Sequence, residues 1–125
     1  MYNCMACPYV DGARGPFEFD CLGIVRELMH EALGCSRDLI PAFGGVSCEA
    51  GNMHECYEEI EKGFKEVGEP EHGAIVAVFD DSNCFRHVGL FLEGSVYHST
   101  IKSGPAILSL RQFRHFGKLR FYVSA

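Results

Sequence analysis

Cys21 sits directly after Asp20 at the start of an apolar-periodic run, in the stretch "FEFDCLGIV" over residues 17–25. Two histidines, His87 and His98, lie further along in strand-like surroundings, "FRHVGLFLEG" and "SVYHST". A thiol is a nucleophile only once it ionises, and a helix N-terminus favours the thiolate through its unpaired N–H groups and positive dipole end. The same N–H groups suit a developing oxyanion. A cysteine nucleophile also needs a base, usually an imidazole, held by a third group. Thiol-based acyl chemistry is therefore what these residue types could perform. By position alone, Cys21 reads equally well as a reactive thiol or as a small core residue, and either histidine taken singly is more often structural.

The elements that must position them are readable. In "DCLGIVRELMHEALG", Leu22, Val25, Leu28, Met29, Ala32 and Leu33 recur at helical spacing, Asp20 suits the N-cap, and Gly34 falls where a helix stops. A second helix is predicted from Asn52 to about Val67, with Met53, Tyr57, Ile60, Phe64 and Val67 on one stripe and Asn52 and Glu55 as a capping pair. Residues 35–51 between them read as a long irregular loop, as does "PYVDGARGPFEF" before the first helix. Strands are predicted at Ala74 to Phe79, Phe85 to Leu92, Ser95 to Ser99, near Ile107, and Leu119 to Val123, with Ser109 and Gln112 framing a short helix before the last. Helices followed by antiparallel strands make an α+β fold.

The hairpin fixes how the histidines relate. If Glu93 and Gly94 form a two-residue turn, Leu92 pairs with Ser95 and, counting back, Gly89 pairs with His98. Side chains alternate along a strand, so His87 shares the face of Gly89 and becomes the diagonal neighbour of His98, roughly 7 Å away at the backbone. Gly89 leaves room between them. A slip of one residue would put the rings on opposite faces. Two histidines on one face, in a chain with a helix-capping cysteine, favour catalysis over structure, with His87 as base and His98 as the group that orients it.

Composition bounds the rest. A chain of 125 residues with 47% hydrophobic and 22% charged residues suits one soluble globular domain spanning 1–125. No apolar run reaches the roughly 20 residues of a membrane span, and "MYNCMACPYV" lacks the features of a signal peptide. Synthesis in the cytoplasm is expected, with any export depending on other machinery. The seven cysteines are odd in number and are expected to be mostly reduced. The net charge of −6 is unevenly spread: residues 1–101 carry 6 basic and 17 acidic side chains, whereas 102–125 carry 5 basic and none acidic. An acidic body argues against nucleic acid as the main partner. Cys4 and Cys7 form a C-x2-C pair, but Cys48, His54 and Cys56 offer no regular second pair, so neither metal nor cofactor is expected. His72 and His115 read as surface residues, and Asp80 and Asp81 as turn formers.

These residues carry a resemblance to a known family. "PYVDGARGPFEFDCLGIVRELM", "EPEHGAIVAVF", "RHVGLFLEG" and "VYHST" resemble the NlpC-type cell-wall cysteine peptidases, in particular short forms encoded by phages and prophages as tail-associated peptidases. The likeness runs from Tyr9 to the end, weakest over residues 35–68. It implies a papain-like fold with N-terminal helices packed on a C-terminal antiparallel sheet. It further implies Cys21 as nucleophile, His87 as general base and His98 as third member. Tyr9, twelve residues before Cys21, would serve the oxyanion or substrate, and Asp20 would cap the helix and contribute to a substrate subsite. The implied reaction is hydrolysis of an amide in the peptidoglycan stem peptide, typically between γ-D-glutamate and a diamino acid, with phage tail proteins as further partners and the virion or cell wall as its destination.

The chain departs from the family pattern at Leu22, where Ser is common, and at Arg86, where a Ser often precedes the base. Arg86 replaces a position that in relatives helps to recognise an amino terminus, and its charge would suit a carboxylate instead. Two other functions compete with hydrolysis: a structural subunit of a tail or injection machine, and acyl transfer as in lipid-modifying relatives. Those relatives carry histidine before cysteine, the reverse of the order here.

Overall fold

The computed structural model describes residues 2–42, 47 and 53–124. It contains helices α1 (Cys21–Leu33), α2 (His54–Gly63) and α3 (Leu110–Phe113). The strands are β1 (Phe64–Val67), β2 (Ile75–Phe79), β3 (Phe85–Leu92), β4 (Ser95–Thr100), β5 (Gly104–Leu108) and β6 (Lys118–Ser124). All six join one sheet in the order β1-β6-β2-β3-β4-β5, antiparallel throughout. The α+β architecture read from the sequence is the one observed.

The sheet is buried on both sides. Ile75 and Ala77 of β2 pack with Val88, Leu90 and Leu92 of β3 under Leu22, Ile24, Val25 and Leu28 of α1. The alternating residues Val76 and Val78 join Val96, Phe121 and Phe113 in a second cluster. A period of two along β2 thus feeds two cores, and every residue of that strand is buried. Ile24, Val25 and Leu28 are completely enclosed, and each such side chain stabilises the fold by about 1.5–3 kcal/mol relative to exposure.

Helix α1 starts and stops where its capping residues place it. The Asp20 carboxylate accepts the Gly23 N–H at 2.8 Å, and Gly34 takes the left-handed conformation, φ 71°, that closes the helix. Gly23 is required by proximity: a Cβ there would lie 2.5 Å from the Ala13 carbonyl oxygen of the preceding loop. The capping box of Ser109 and Gln112 also forms, at the start of α3.

One element departs from expectation. The second helix ends at Gly63, and Phe64–Val67 is the edge strand β1, paired with β6 from Phe64 opposite Ser124 to Val67 opposite Phe121. Over four residues a helical stripe and a strand end look alike, since Phe64 and Val67 are apolar in both. The open edge of β6 decides between them by supplying ladder hydrogen bonds. The predicted cap at Asn52 lies outside the described residues, as does much of the loop before it; within that loop Arg37–Leu39 forms a short 3₁₀ turn.

Candidate active site

The loop before α1 folds back to present the helix N-terminus. Tyr9 bridges to Phe19, the Val10 N–H donates to the Phe19 carbonyl at 3.3 Å, and the Asp20 N–H donates to the Ala13 carbonyl at 2.9 Å. Asp20 is fully buried. One carboxylate oxygen caps Gly23, and the other accepts the Gly12 N–H at 3.1 Å and pairs with the Arg14 guanidinium. Arg14 also donates to the Ala42 carbonyl at 2.6 Å. Asp20 therefore locks loop to helix, and it is not among the described residues lining the neighbouring cavity. Cys21, the next residue and the first of α1, is 2% exposed.

The hairpin forms in the register derived from its turn. Glu93 and Gly94 both have positive φ, 51° and 85°, and Leu92 pairs with Ser95, Phe91 with Val96 and Leu90 with Tyr97. The expected diagonal contact follows: His87 Nε2 lies 2.9 Å from His98 Nδ1, with the ring planes at 79°. Gly89 provides the space, because a Cβ there would lie 2.7 Å from Val96 and 3.2 Å from both the Phe113 ring and the Tyr97 carbonyl.

Arg86 occupies a bulge. Val78 pairs with His87 but Phe79 pairs with Phe85, so Arg86 is the extra residue at the start of β3. Its Nε donates to Asp80 at 2.6 Å. Asp80 also accepts the Ser82 and Cys84 N–H groups at 2.9 and 3.0 Å, as a turn former does.

A cavity of about 470 Å³ opens where β3 begins and β4 ends. Cys21, Arg86, His87 and His98 line it, with Ser99, Lys102 and Phe116 among the other walls. The cysteine, both histidines and the arginine singled out in the sequence thus meet at one opening, whereas Tyr9 stands with the loop beside α1. Burial holds His87 well below the ordinary imidazole range, with the His98 ring adding to the effect, and burial does the same to His98. With both imidazoles held toward the neutral form, the Nε2–Nδ1 contact takes an N–H from one ring and a lone pair from the other. Among the described residues, His98 Nε2 and Ser99 Oγ are buried without hydrogen-bond partners.

Other sequence candidates stand apart from this cavity. Cys4 is buried, and burial together with Glu31 pushes its thiol far up, so it stays protonated. Cys7 is half-buried with Sγ 3.7 Å from the Asn3 carbonyl. Among the described residues no group of three or more metal-ligating side chains converges; Cys48 lies outside them. Cys4, Cys7, Cys35 and Cys84 are free thiols. His72 is exposed and accepts the Glu93 N–H at 3.1 Å, tying down the hairpin turn. Sequence reasoning missed Arg14, Phe113 and Phe116. The only signal for Arg14 was a cation in a loop leading to an N-cap acid, and for the phenylalanines an aromatic pair just after the capping box.

No protein-family model matches the chain, and no curated protein matches it. Among solved structures, it is similar to the crystal structure of the NlpC/p60 domain of peptidoglycan hydrolase SagA, with a TM-score of 0.62 and 22% identity over 99% of this chain and 92% of that one. The chain therefore has the NlpC/p60 fold, as the sequence motifs implied.

Proposed function

We propose that this protein is a cysteine peptidase that hydrolyses amide bonds in peptidoglycan stem peptides, at the junction between γ-D-glutamate and a diamino acid. The observation that carries the reading is the convergence of Cys21, at the N-terminus of α1, with the hydrogen-bonded pair His87 and His98 on one cavity. That the similar structure is a domain of a peptidoglycan hydrolase supports the substrate class.

The mechanism follows from proton positions. With the N–H of that contact on His87 Nε2 and the His98 Nδ1 lone pair accepting it, His87 Nδ1 is left as the basic nitrogen. It takes the Cys21 proton, and Sγ attacks the amide carbonyl carbon while the helix N-terminus favours the oxyanion. The C–N bond breaks as His87 returns the proton to the departing amine, leaving a thioester on Cys21. Water then gives a proton to His87 and its oxygen to the acyl carbon. The C–S bond breaks, the acid is released and the thiol is restored. A neutral resting pair suits this cycle, because His87 must begin without its second proton. Arg86 at the rim serves a substrate carboxylate, while the oxyanion or substrate role of Tyr9, which stands on the loop before α1, rests on the family resemblance alone.

The test is mass spectrometry of defined muropeptides after incubation with wild type and with Cys21→Ala. New amine and γ-glutamyl carboxylate termini from wild type alone support the reading. Equal hydrolysis by both proteins eliminates it.

A further inference from the structure

The histidine pair is enclosed by two phenylalanines that come from outside the hairpin. Phe113, at the end of α3, is fully buried, with ring centroids 5.6 Å from His87 and 5.1 Å from His98. Phe116, in the following 3₁₀ turn Arg114–Phe116, lies 5.3 Å from each imidazole, tilted 32° to His87 and 72° to His98, and 5.2 Å from Phe113. The four rings form one closed set. Phe113 is its floor. Phe116 differs because it is 45% exposed and lines the cavity that contains Cys21.

We propose that Phe116 is a positioning residue for the histidine pair: its inner face holds the two imidazoles in their crossed arrangement and keeps water off them, while its outer face is the apolar wall on which the substrate lies. The second half of this rests on the peptidase reading above; the first half stands without it. The physics is that of an aromatic cover. Edge-to-face ring pairs are worth about 0.5–1.5 kcal/mol beyond area burial, and excluding water disfavours the charged imidazolium. Without the ring, the His87 and His98 planes lose the neighbour that restricts their tilt, and the side open to the cavity admits solvent.

Among the described residues, the groups on other elements that could perturb the pair are few. Cys21 reaches the cavity from α1, Arg86 precedes His87 but is paired with Asp80, and Lys102 lies on the turn after β4. Arg114 and His115 share the turn of Phe116 and are exposed. Among the described residues no carboxylate lines the cavity, so nothing there opposes the effect of burial on the two imidazoles.

The experiment is a titration of the imidazole resonances by NMR in the full-length chain, comparing wild type, Phe116→Ala and Phe116→Leu, with thermal melts as a folding control. In Phe116→Ala the midpoints of His87 and His98 rise toward the ordinary value of about 6.5. In Phe116→Leu, which keeps apolar cover without a ring, they stay low. Midpoints unchanged in a folded Phe116→Ala protein overturn the proposal. Should Phe116→Ala fail to fold, Phe116→Tyr and Phe116→Ser provide the same comparison, the first retaining low midpoints and the second not. Kinetics on muropeptides read the outer face: Phe116→Ala lowers kcat about tenfold and raises KM, and its acid limb moves to higher pH. If wild type cleaves no muropeptide, the peptidase reading fails while the titration still decides whether the ring covers the pair.

Discussion

His87 Nε2 and His98 Nδ1 are 2.9 Å apart across two strands joined by the turn Glu93-Gly94. The contact spends one nitrogen of each ring, leaving His87 with Nδ1 and His98 with its buried Nε2. In the proposed mechanism, a base oriented in this way does not depend on a charged third member.

Removing the thiol should abolish turnover without loosening the fold. Cys21→Ala is expected to lower muropeptide hydrolysis by at least about 10³-fold, with the thermal midpoint shifted by only a few degrees. Comparable rates in assays of purified protein at matched concentration would contradict the role of Cys21.

The orienting role proposed for His98 predicts a graded series. His98→Ala leaves His87 Nε2 unpartnered and should lower kcat about 10²-fold or more. His98→Gln retains an oxygen acceptor and should recover part of that loss with KM little changed. Steady-state kinetics of the two variants check this, and a wild-type kcat in His98→Ala would be incompatible with it.

Stability should depend on pH with a definite sign. Both imidazoles are held below their ordinary value in the folded protein, by burial in each case and additionally by His98 for His87. The unfolded chain therefore binds more protons than the folded one as pH falls below about 6.5. The stabilisation is complete above that value and is lost progressively toward the depressed folded values. Urea midpoints measured between pH 7.5 and 5 should fall, and less steeply in His98→Gln. A flat profile across this interval would show that the pair is not held neutral.

Gly89→Ala tests the packing between the rings. The added methyl would lie 2.7 Å from Val96 and 3.2 Å from Phe113, and overpacking of this kind costs about 1–3 kcal/mol. Calorimetry should register that loss, and because Phe113 braces both histidines, activity should fall further than stability alone accounts for.

Arg14→Met should be among the most damaging substitutions away from the cavity. It strips the counter-ion from a fully buried Asp20 carboxylate, and breaking a buried pair in this way costs about 3–5 kcal/mol. Chemical denaturation of the variant, measured beside Asp20→Asn, provides the comparison. An undisturbed Arg14→Met midpoint would mean the ion pair does not hold the loop.

What could be read in the chain depended on distance along it. The caps of α1, the Ser109–Gln112 box and the register of the hairpin each involve residues a few positions apart, where steric and hydrogen-bonding rules act on the backbone locally. From a single turn at Glu93-Gly94 the relation of His87 to His98 follows by counting. Phe64–Val67 reads as the end of a helix because its partner strand, Lys118–Ser124, begins more than fifty residues later, and no local pattern announces that edge.

By itself, then, the sequence determined the thiol at a helix start, the two imidazoles on one strand face and the α+β class, because periods of 3.6 and 2 and the chemistry of caps and turns are properties of neighbouring residues. Only the tertiary structure decided that these pieces share one cavity, that Asp20 faces inward to Arg14, that a bulge places Arg86 at the rim, and that Phe113 and Phe116 close around the histidines. Those outcomes depend on close packing between elements far apart in the chain, where shape and exclusion of water, rather than local propensity, select the arrangement.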